Sequence, residues 1–478
     1  MSLTVPYERS YGRPYERLSA QDSSFLHLET PTSPMHVGSL GLFDAPPFFD
    51  ASGRFLIDDA RRLIASRLHL VPRFRRRLME VPFGQGRPVW VDDERFDISY
   101  HVRLTALPRP GAEEQLLALM GRLQAQPLDR SRPLWELWFV EGLEGDRVAI
   151  IQKTHHALVD GISGVDVATV LLDFEPQPAP PADEIEPWEP EPAPLPAQLL
   201  AETLLERATQ PAEIGRTVRA WFRGPREAAR TWQGVGRALQ AVATTGPRLP
   251  FNAPIGPHRR YELARVDLDQ VKAIKDAFGF TVNDVVLAAV AGGLRLYLEG
   301  HDVPVDGLVV RTMVPVSVRS VSERMTLGNR VSAMVAELPI GVAEPEQRLR
   351  LVHEQMRELK ESGEAVGAEV LTSLLDYAPP TLLALAARLV PRQRAVNLVV
   401  TNVPGPQVPL YCMGARMLEA FPYVGIVENL GAVVGVVSYD GQLGFGVTGD
   451  RDLLPDLPVF AEGIEKAVAE LAEKGGLE

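Results

Sequence analysis

The first third of the chain alternates short apolar runs with helical patterns. Residues 40–43 and 148–151 are apolar and have a length typical of buried strands. Residues 112–126 carry leucine and methionine near helical spacing, which predicts a helix between the two strands. The pattern up to residue 174 therefore predicts one mixed unit of strands and helices.

A second mixed unit is predicted after residue 260. Apolar runs predict strands at residues 307–314, 397–401 and 432–439, and helical patterns predict helices at residues 283–298 and 345–362. No internal sequence repeat relates the two units. Together they predict an α/β fold with mixed sheets (α+β).

The segment between the two units differs from both in composition. Residues 175–196 (EPQPAPPADEIEPWEPEPAPLP) are proline-rich and acidic, which favours a stiff, extended linker that buries little surface. Residues 197–243 have helical composition without strand signals, which predicts a helical crossing. We therefore expect an N-terminal domain over residues 1–174, a linker and crossing over 175–257, and a C-terminal domain over 258–478.

Length, charge and cysteine content narrow the class of protein. At 478 residues the chain exceeds the size at which one core usually keeps growing, so two cores are expected. A formal net charge of -13 argues against a general nucleic-acid-binding protein, which needs a field that attracts phosphate. The one cysteine, Cys412, excludes an intramolecular disulfide and a cysteine-based zinc site, and fits a reducing cytoplasmic setting.

The hydropathy pattern predicts neither a secretory signal nor a membrane span. The N-terminus, MSLTVPYERSYGRPYERL, lacks the apolar stretch that a signal peptide needs. No run approaches the roughly 20 apolar residues that cross a bilayer. If the protein meets lipid, we expect the contact at its surface or in an internal tunnel.

The strongest chemical signal is HHALVDG at residues 155–161. An apolar run is followed by two histidines, a turn signal at Asp160 and Gly161, and then a helical pattern. In an extended segment His155 and His156 would point to opposite faces, so one would face a substrate and the other would support it. A neutral imidazole is suited to removing a hydroxyl proton because its pKa lies near neutrality.

Each of these residues has a second interpretation. A pair of histidines is often structural, but the Asp and Gly that follow at this strand-to-helix junction favour a chemical role. Asp160 could orient a histidine or pair with an arginine elsewhere and fix the loop; the neighbouring Gly161 permits a tight turn and favours the second role. A zinc or iron site is not expected, because extended His155 and His156 point apart and no nearby Glu or His completes a ligand set.

An ordered set of segments extends over nearly the whole chain. The segments are LSAQDSSFLHLETPTSPMHVGSL from Leu18, PRFRRRL from Pro72, LDRSRPLWELW from Leu128, HHALVDG from His155, APIGPHRR from Ala253, NDVVLA from Asn283 and TNVPGP from Thr401. In this set the chain resembles the bacterial wax ester synthase and diacylglycerol acyltransferase family, related to the chloramphenicol acetyltransferase and condensation-domain superfamily. HHxxxDG identifies only the superfamily, whereas PLW and ND in this order are specific for the lipid acyltransferases. Family members often have Gly where Ala253 stands and Ser where Thr401 stands, which bears on the shape of the second-domain loops.

The resemblance implies two chloramphenicol acetyltransferase-like domains with an active-site tunnel between them. It implies that His156 is the general base, that His155 supports it, and that Asp160 and Gly161 hold the loop. The implied reaction is direct transfer of a long-chain fatty acyl group from acyl-CoA to a long-chain alcohol, giving a wax ester, or to diacylglycerol, giving triacylglycerol. Acyl-CoA is then a substrate, and no cofactor or metal is expected.

Other family segments are expected to shape the active site. Their residues are Pro133, Leu134, Trp135, Asn283, Asp284, Thr401 and Asn402. Asn283 and Asp284 also precede a helical run, so a helix N-terminal cap explains them equally well. Trp135 lies in an apolar segment and is otherwise a core residue.

Arg75, Arg76 and Arg77, with Arg73, form the clearest basic cluster in this acidic chain. Such a run is usually a solvated face. The alternative is that Arg75, Arg76 and Arg77 bind the phosphates of coenzyme A.

Two further functions remain open at this point. One is a condensation-domain-like acyltransferase that forms an amide or ester, although the carrier modules usual for that class are missing. The other is a non-catalytic lipid-binding homologue, which the intact HHxxxDG residues argue against. The expected partners are acyl-CoA and a fatty alcohol or diacylglycerol, without nucleic acid, in the cytoplasm or peripherally at the inner membrane or lipid inclusions.

Overall fold

A computed structural model describes most of the chain. The described residues are 15–158, 172–177, 188–206, 240, 244–317, 331–362 and 394–477. They form a mixed α/β structure with two larger sheets and one small sheet, covered by helices.

The elements are numbered in chain order. The strands are β1 (Tyr15–Arg17), β2 (His36–Asp44), β3 (Arg76–Met79), β4 (Val89–Asp92), β5 (Val102–Ala106), β6 (Trp135–Leu143), β7 (Arg147–His155), β8 (Arg259–Asp267), β9 (Val310–Ser317), β10 (Val331–Leu338), β11 (Leu398–Pro404), β12 (Tyr411–Cys412), β13 (Ala415–Val424), β14 (Ala432–Tyr439) and β15 (Gln442–Asp450). The α-helices are α1 (Ala20–Leu28), α2 (Ile57–Arg67), α3 (Ile98–His101), α4 (Glu113–Ala125), α5 (Leu268–Phe278), α6 (Val282–Gly300), α7 (Pro345–Ser362) and α8 (Leu457–Lys474). Residues 196–206 are also helical.

The first large sheet has the strand order β12-β13-β2-β7-β6-β5. Within it β5 and β6 are parallel, and the other neighbouring strands are antiparallel. Along β7, Val148 and Ile150 join one core cluster, whereas Ala149 and Ile151 join another that includes residues of α4. Because both faces of this strand are covered, its sequence is a continuous apolar run rather than an alternating one.

The second large sheet has the strand order β10-β9-β11-β14-β15-β8. Here β11 is parallel to both β9 and β14, and the remaining pairs are antiparallel. Helix α6 is buried along most of its length and packs against α8. A Cβ at Gly293 would lie 2.8 Å from backbone atoms of Phe460 and Ile464, so the close approach of these two helices requires glycine there.

The small sheet has the order β1-β4-β3, and its Leu78 and Trp90 share a core cluster with residues of the first large sheet. Its core cluster includes Tyr15, Val81 and Leu199. Leu199 belongs to the helical residues 196–206, so the chain that follows the proline-rich segment packs on this sheet.

Strand β13 joins the two halves of the molecule. It pairs with β2 in the first sheet, although it follows β11 of the second sheet in the chain. A Cβ at Gly446 of β15 would lie 2.0 Å from the Pro422 carbonyl oxygen of β13, so the close approach of these two strands requires glycine. Residues 258–478 therefore contribute strands to both large sheets.

The structure confirms the predicted secondary structure where it describes the chain. The strand predictions correspond to β2, β7, β9, β11 and β14, and the helix predictions to α4, α6 and α7. Of the predicted linker, residues 178–187 lie outside the described residues. Of the predicted helical crossing, residues 197–206 and 240 are helical, and 207–239 and 241–243 lie outside the described residues.

Among the described residues, no single helix is long and apolar enough to cross a membrane. The pair α5 and α6 meets the length and composition together, but the two helices are bent by 103° at the break between them.

Candidate active site

The histidine pair lies where β7 leaves the first sheet. His155 is the last residue of β7 and pairs with His36 of β2, whereas His156 begins a 3₁₀ turn over His156–Leu158. The His155 amide donates to the Leu134 carbonyl at 3.0 Å, and the His156 amide donates to the Met35 carbonyl at 2.8 Å. The backbone of the pair is therefore fixed from both neighbouring strands.

His155 is a buried residue whose two ring nitrogens are both occupied. Its side chain is 1% exposed, and Nε2 lies 2.8 Å from Glu29 Oε2. The Ala157 amide donates to Nδ1 at 3.0 Å, so Nδ1 carries the lone pair and Nε2 carries the proton. With these contacts in place, His155 has no nitrogen left to accept a proton from a substrate.

Glu29 is the carboxylate that orients His155. Burial alone raises its pKa, but the hydrogen bond from His155 and the charge of Arg130 lower the pKa of Glu29 to about 2. Arg130 lies 3.3 Å from Oε1, and the Met35 amide donates to Oε2 at 3.3 Å. Glu29 was not predicted as a site residue, although it lies in the family segment that begins at Leu18.

His156 has a different environment from its neighbour. The residue is partly exposed, and its ring stacks on Phe25 of α1, with ring centroids 4.0 Å apart and planes 17° from parallel. Desolvation lowers the pKa of His156 to about 4, against a weaker effect from a hydrogen bond to its own backbone. The ring is therefore neutral at physiological pH, and one of its two nitrogens keeps a lone pair that can accept a proton.

A layer of buried polar side chains lies behind His155. His36 Nδ1 lies 3.3 Å from the Gln124 carbonyl, and Lys153 Nζ donates to the Gln126 carbonyl at 2.6 Å. These carbonyls stand at the C-terminal end of α4, where the helix dipole favours donors and cations. Desolvation lowers the pKa of His36 to about 3 and that of Lys153 to about 8. His36 is therefore neutral at physiological pH and adds no charge beside His155.

The PLW segment supports this site through its backbone. Pro133, Leu134 and Trp135 are buried, and the Leu134 carbonyl accepts the His155 amide. Trp135 Nε1 donates to the Phe74 carbonyl at 2.8 Å, and the indole stacks on His101 with centroids 4.6 Å apart. Trp135 is thus a core side chain in the described structure, and Leu134 makes the contact to the histidine pair.

In the second half, Asp284 completes a helix cap. Thr281 is the N-cap of α6, and the Asp284 amide donates to Thr281 Oγ1 at 3.2 Å while Asp284 Oδ2 accepts the Thr281 amide at 3.0 Å. The same oxygen lies 2.9 Å from His353 Nδ1. Asp284 is 1% exposed, so its contacts are with the helix terminus and α7 rather than with solvent.

Asn283 lies one residue earlier on α6 and has a different neighbour. Asn402 Nδ2 donates to Asn283 Oδ1 at 3.4 Å, and Thr401 precedes Asn402 on β11. All three side chains are partly exposed. The structure thus brings together the ND and TN segments, which are more than a hundred residues apart in the chain.

Two arginines of the cluster contact other side chains of the protein. Arg76 pairs with two carboxylates, including Glu16 at 3.2 Å. The Arg75 guanidinium lies 4.6 Å from the ring centroid of Trp188. Arg77 is partly exposed and lines a surface depression that also contains acidic side chains. Of the three, Arg77 is the one that borders open surface at this depression.

Asp160 and Gly161 lie outside the described residues. Cys412 is buried in β12, three strands from β7 in the sheet, and burial raises the pKa of its thiol to about 12. Within the described part of the chain, no group of three or more His, Cys, Asp or Glu side chains is arranged to hold a metal ion.

Comparisons with known proteins show the family to which the chain is similar. The family model of the wax ester synthase/diacylglycerol acyltransferase catalytic domain matches residues 18–286, and that of the C-terminal domain of the same family matches residues 327–472. A Mycobacterium tuberculosis protein provisionally named a diacylglycerol O-acyltransferase is 35% identical over 476 residues, covering 96% of this chain and 90% of that protein.

Solved structures resemble the whole chain. The wax ester synthase/diacylglycerol acyltransferase of Marinobacter aquaeolei VT8 is 31% identical with a TM-score of 0.67, covering 96% of this chain and 100% of that one. The trichothecene 15-O-acetyltransferase of Fusarium sporotrichioides has a TM-score of 0.60 at 13% identity, covering 97% of each chain. At that identity the second likeness concerns the fold alone, which is the two-domain acyltransferase fold expected from the sequence.

Proposed function

The chain belongs to the wax ester synthase/diacylglycerol acyltransferase family, and we propose that it moves a long-chain fatty acyl group from acyl-CoA to a long-chain alcohol or to diacylglycerol. That it is an acyltransferase follows from the family. The observation that supports His156 as the base of this reaction is the difference between the environments of the two histidines. His155 has both ring nitrogens occupied, whereas His156 is partly exposed with a neutral ring.

In the proposed mechanism His156 is the general base. One nitrogen of its ring takes the proton of the bound alcohol as the alcohol oxygen attacks the thioester carbonyl. Donors near the site stabilise the oxyanion of the tetrahedral intermediate. When the carbon–sulfur bond breaks, the imidazolium returns the proton to sulfur, so coenzyme A leaves as a thiol and the ester remains. No covalent acyl-enzyme is formed.

The remaining residues serve this reaction by position. Glu29 holds His155 by its Nε2 proton, and His155 in turn fixes the backbone from which His156 projects. Asp160 and Gly161 hold the following loop. Asn283, with the cap at Asp284, shapes the site from the second half, together with Thr401 and Asn402. Pro133, Leu134 and Trp135 shape it from the first half.

The proposed ligands and setting follow from the same reaction. Acyl-CoA is a substrate, so no cofactor is invoked. Arg75, Arg76 and Arg77 are all partly exposed, and Arg77 is the best placed to meet a phosphate of coenzyme A because it lines the surface depression. Arg75 contacts Trp188, and Arg76 pairs with Glu16. We place the enzyme in the cytoplasm, with peripheral contact to the inner membrane or lipid inclusions that hold its apolar substrates.

A thiol-release assay with palmitoyl-coenzyme A tests the proposal. The purified chain is given hexadecanol, diacylglycerol or hexadecylamine, and the lipid products are identified by mass spectrometry. We expect coenzyme A release that depends on an alcohol acceptor and yields an ester. Release without any acceptor would indicate a thioesterase, and an amide product would indicate a condensation-type enzyme.

A further inference from the structure

Residues 29–35, here called the bridging loop, hold both histidines. Glu29 at its start accepts from His155 Nε2 at 2.8 Å, and Met35 at its end accepts the His156 amide at 2.8 Å. The Met35 amide also donates to Glu29 Oε2 at 3.3 Å, which ties the two ends of the loop together. A shift of the bridging loop would therefore move the partner of the His155 ring and the partner of the His156 backbone amide.

The middle of the bridging loop is held by the second half of the chain. Arg259, the first residue of β8, donates from Nη2 to the Thr32 carbonyl. Thr32 Oγ1 donates to Glu428 Oε1 at 3.2 Å, and Ser33 Oγ donates to the Ile426 carbonyl at 3.1 Å. The loop that carries the partners of the histidines is thus anchored outside the domain that carries HHxxxDG.

Arg259 is a buried part of this anchor. Its side chain is 1% exposed, and Nη1 donates to the Gly256 carbonyl at 2.8 Å. The buried Asp450 carboxylate lies 4.0 Å from Nη1 and also accepts the Gly256 amide at 2.7 Å. A buried guanidinium is tolerated only when its charge and donors are satisfied, and here one of those donors is committed to Thr32.

We propose that Arg259 is a positioning residue for acyl transfer. Through the Thr32 carbonyl it fixes the bridging loop, and through Glu29 and Met35 the loop fixes His155 and His156. The reaction in one half of the molecule thus depends on an arginine from the other half. This inference rests on the proposed role of His156 as the base.

Arg265 provides a matched control on the same strand. It also joins the two halves, because Nη2 lies 2.7 Å from Glu113 of α4 and 2.9 Å from Glu419 of β13. Among the described residues, its side-chain partners lie on α4 and β13 and not in the bridging loop. Loss of Arg265 therefore weakens the interface between the halves without touching the anchor of the loop.

The experiment compares Arg259→Met, Arg259→Lys and Arg265→Met in the full-length protein. We expect Arg259→Met to lower kcat by roughly 10- to 100-fold, because a small misplacement of a catalytic group has effects of this size, while both KM values change less than about twofold. Arg259→Lys keeps the charge with fewer fixed donors, so its kcat should lie between that of the wild type and that of Arg259→Met. Arg265→Met should lower the melting temperature and keep kcat. Equal kcat losses at Arg259 and Arg265, or an effect of Arg259→Met on KM alone, would overturn the inference.

A double substitution separates positioning from a general loss of stability. In the His156→Ala background, Arg259→Met should cost no further activity, since the group it positions is already absent. A further loss equal to that in the wild-type background would contradict the inference. If His156→Ala alone stayed active, the proposed function would fail instead, so the two failures are distinguishable.

Glu428→Gln serves if Arg259→Met does not fold. It weakens a second anchor of Thr32, the hydrogen bond from its Oγ1, while keeping the shape of the side chain. We expect a loss of kcat of several-fold that likewise disappears in the His156→Ala background. An unchanged kcat in a folded Glu428→Gln protein would contradict the inference that the bridging loop positions the histidine pair.

Discussion

Two adjacent pairs of polar residues stand at element boundaries in the two halves of the molecule. His155 and His156 stand where β7 ends, and Asn283 and Asp284 stand where α6 begins. At the first boundary one residue is buried with both ring nitrogens bonded and the next is partly exposed. At the second, Asp284 is buried in a helix cap and Asn283 beside it is partly exposed.

In both pairs the buried member has its partners within the protein, and the exposed member is the one available to a ligand. The chemistry differs because of the residue types. A neutral imidazole accepts a proton near physiological pH, whereas an asparagine amide only orients groups by hydrogen bonds. We therefore propose proton transfer at the first boundary and a shaping role at the second, and six measurements can break or sharpen that proposal.

The largest effect is expected at His156. His156→Ala should lower kcat by roughly 10²- to 10⁴-fold, because the base is lost, while the circular dichroism spectrum and melting temperature stay near those of the wild type. Turnover is measured as coenzyme A release with palmitoyl-coenzyme A and hexadecanol. A folded variant with more than a tenth of the wild-type turnover would break the assignment.

His155→Ala should have a smaller effect on turnover and a larger effect on stability. Its removal leaves the Glu29 carboxylate with one partner fewer in a buried setting, at a cost of about 1 to 3 kcal/mol in the free energy of unfolding. Chemical denaturation and kcat are measured on the same preparation. If His155→Ala proves the more damaging of the two for turnover, the roles of the histidines are reversed.

The pH dependence of turnover should reflect the environment of His156. Desolvation lowers the pKa of this ring to about 4, so the base stays neutral and the rate stays flat from pH 8 down to about pH 5. A rate that instead halves near pH 6.5 would mean that the ring is solvated in the active enzyme.

Stability should fall over the acid side of the same range. Desolvation lowers the pKa of His36 to about 3 and those of His101 and His156 to about 4, whereas in the unfolded chain such rings gain a proton near 6.5. Between these values the unfolded state binds more protons, so the free energy of unfolding decreases as the pH falls from about 6.5 to 4. Burial raises the pKa of Glu262 to about 7, so this group stabilises the folded protein as the pH falls. Its effect opposes that of the three histidines, and as a single group it should be outweighed by them. Melting temperatures at pH 7 and pH 5 measure the net change, which should be a loss of several degrees.

At the second boundary, Asp284→Ala should act mainly on stability. Loss of the cap and of the bond to His353 should lower the free energy of unfolding by about 1 to 2 kcal/mol. Turnover should fall by less than about tenfold, since the helix terminus still presents Asn283. Asn283→Ala is the contrasting variant, with little change in stability. If Asp284→Ala lowered turnover as much as His156→Ala, the second half of the site would take part in the reaction itself and not only in its shape.

The smallest effect is expected at Cys412. Its buried thiol, with a pKa raised to about 12, is not ionised near neutral pH, and the thiolate is the form that attacks a thioester. Cys412→Ser should therefore keep its activity, and initial-rate plots with both substrates varied should intersect. Parallel lines, with an acyl adduct seen by mass spectrometry when alcohol is left out, would contradict direct transfer.

Much of the fold could be predicted from local patterns. The apolar runs gave β7 and β14 because strands covered on both faces are apolar throughout, and the period of α4 and α7 marked them as helices. The crossing of β13 into the first sheet could not be predicted in this way, because a strand's sequence does not specify which sheet it joins.

The candidate site likewise has features that the sequence predicts and features that only the fold shows. By itself, the sequence determined the family and the kind of chemistry, because these depend on residue types at fixed short spacings. Through the family resemblance it also named His156 as the expected base and His155 as its support. Only the tertiary structure showed why the two rings differ in availability, because that depends on Glu29, 126 residues from His155, on the stacking of Phe25, and on burial. The same holds for Arg259, since the contacts that surround a side chain come from segments that only folding brings together.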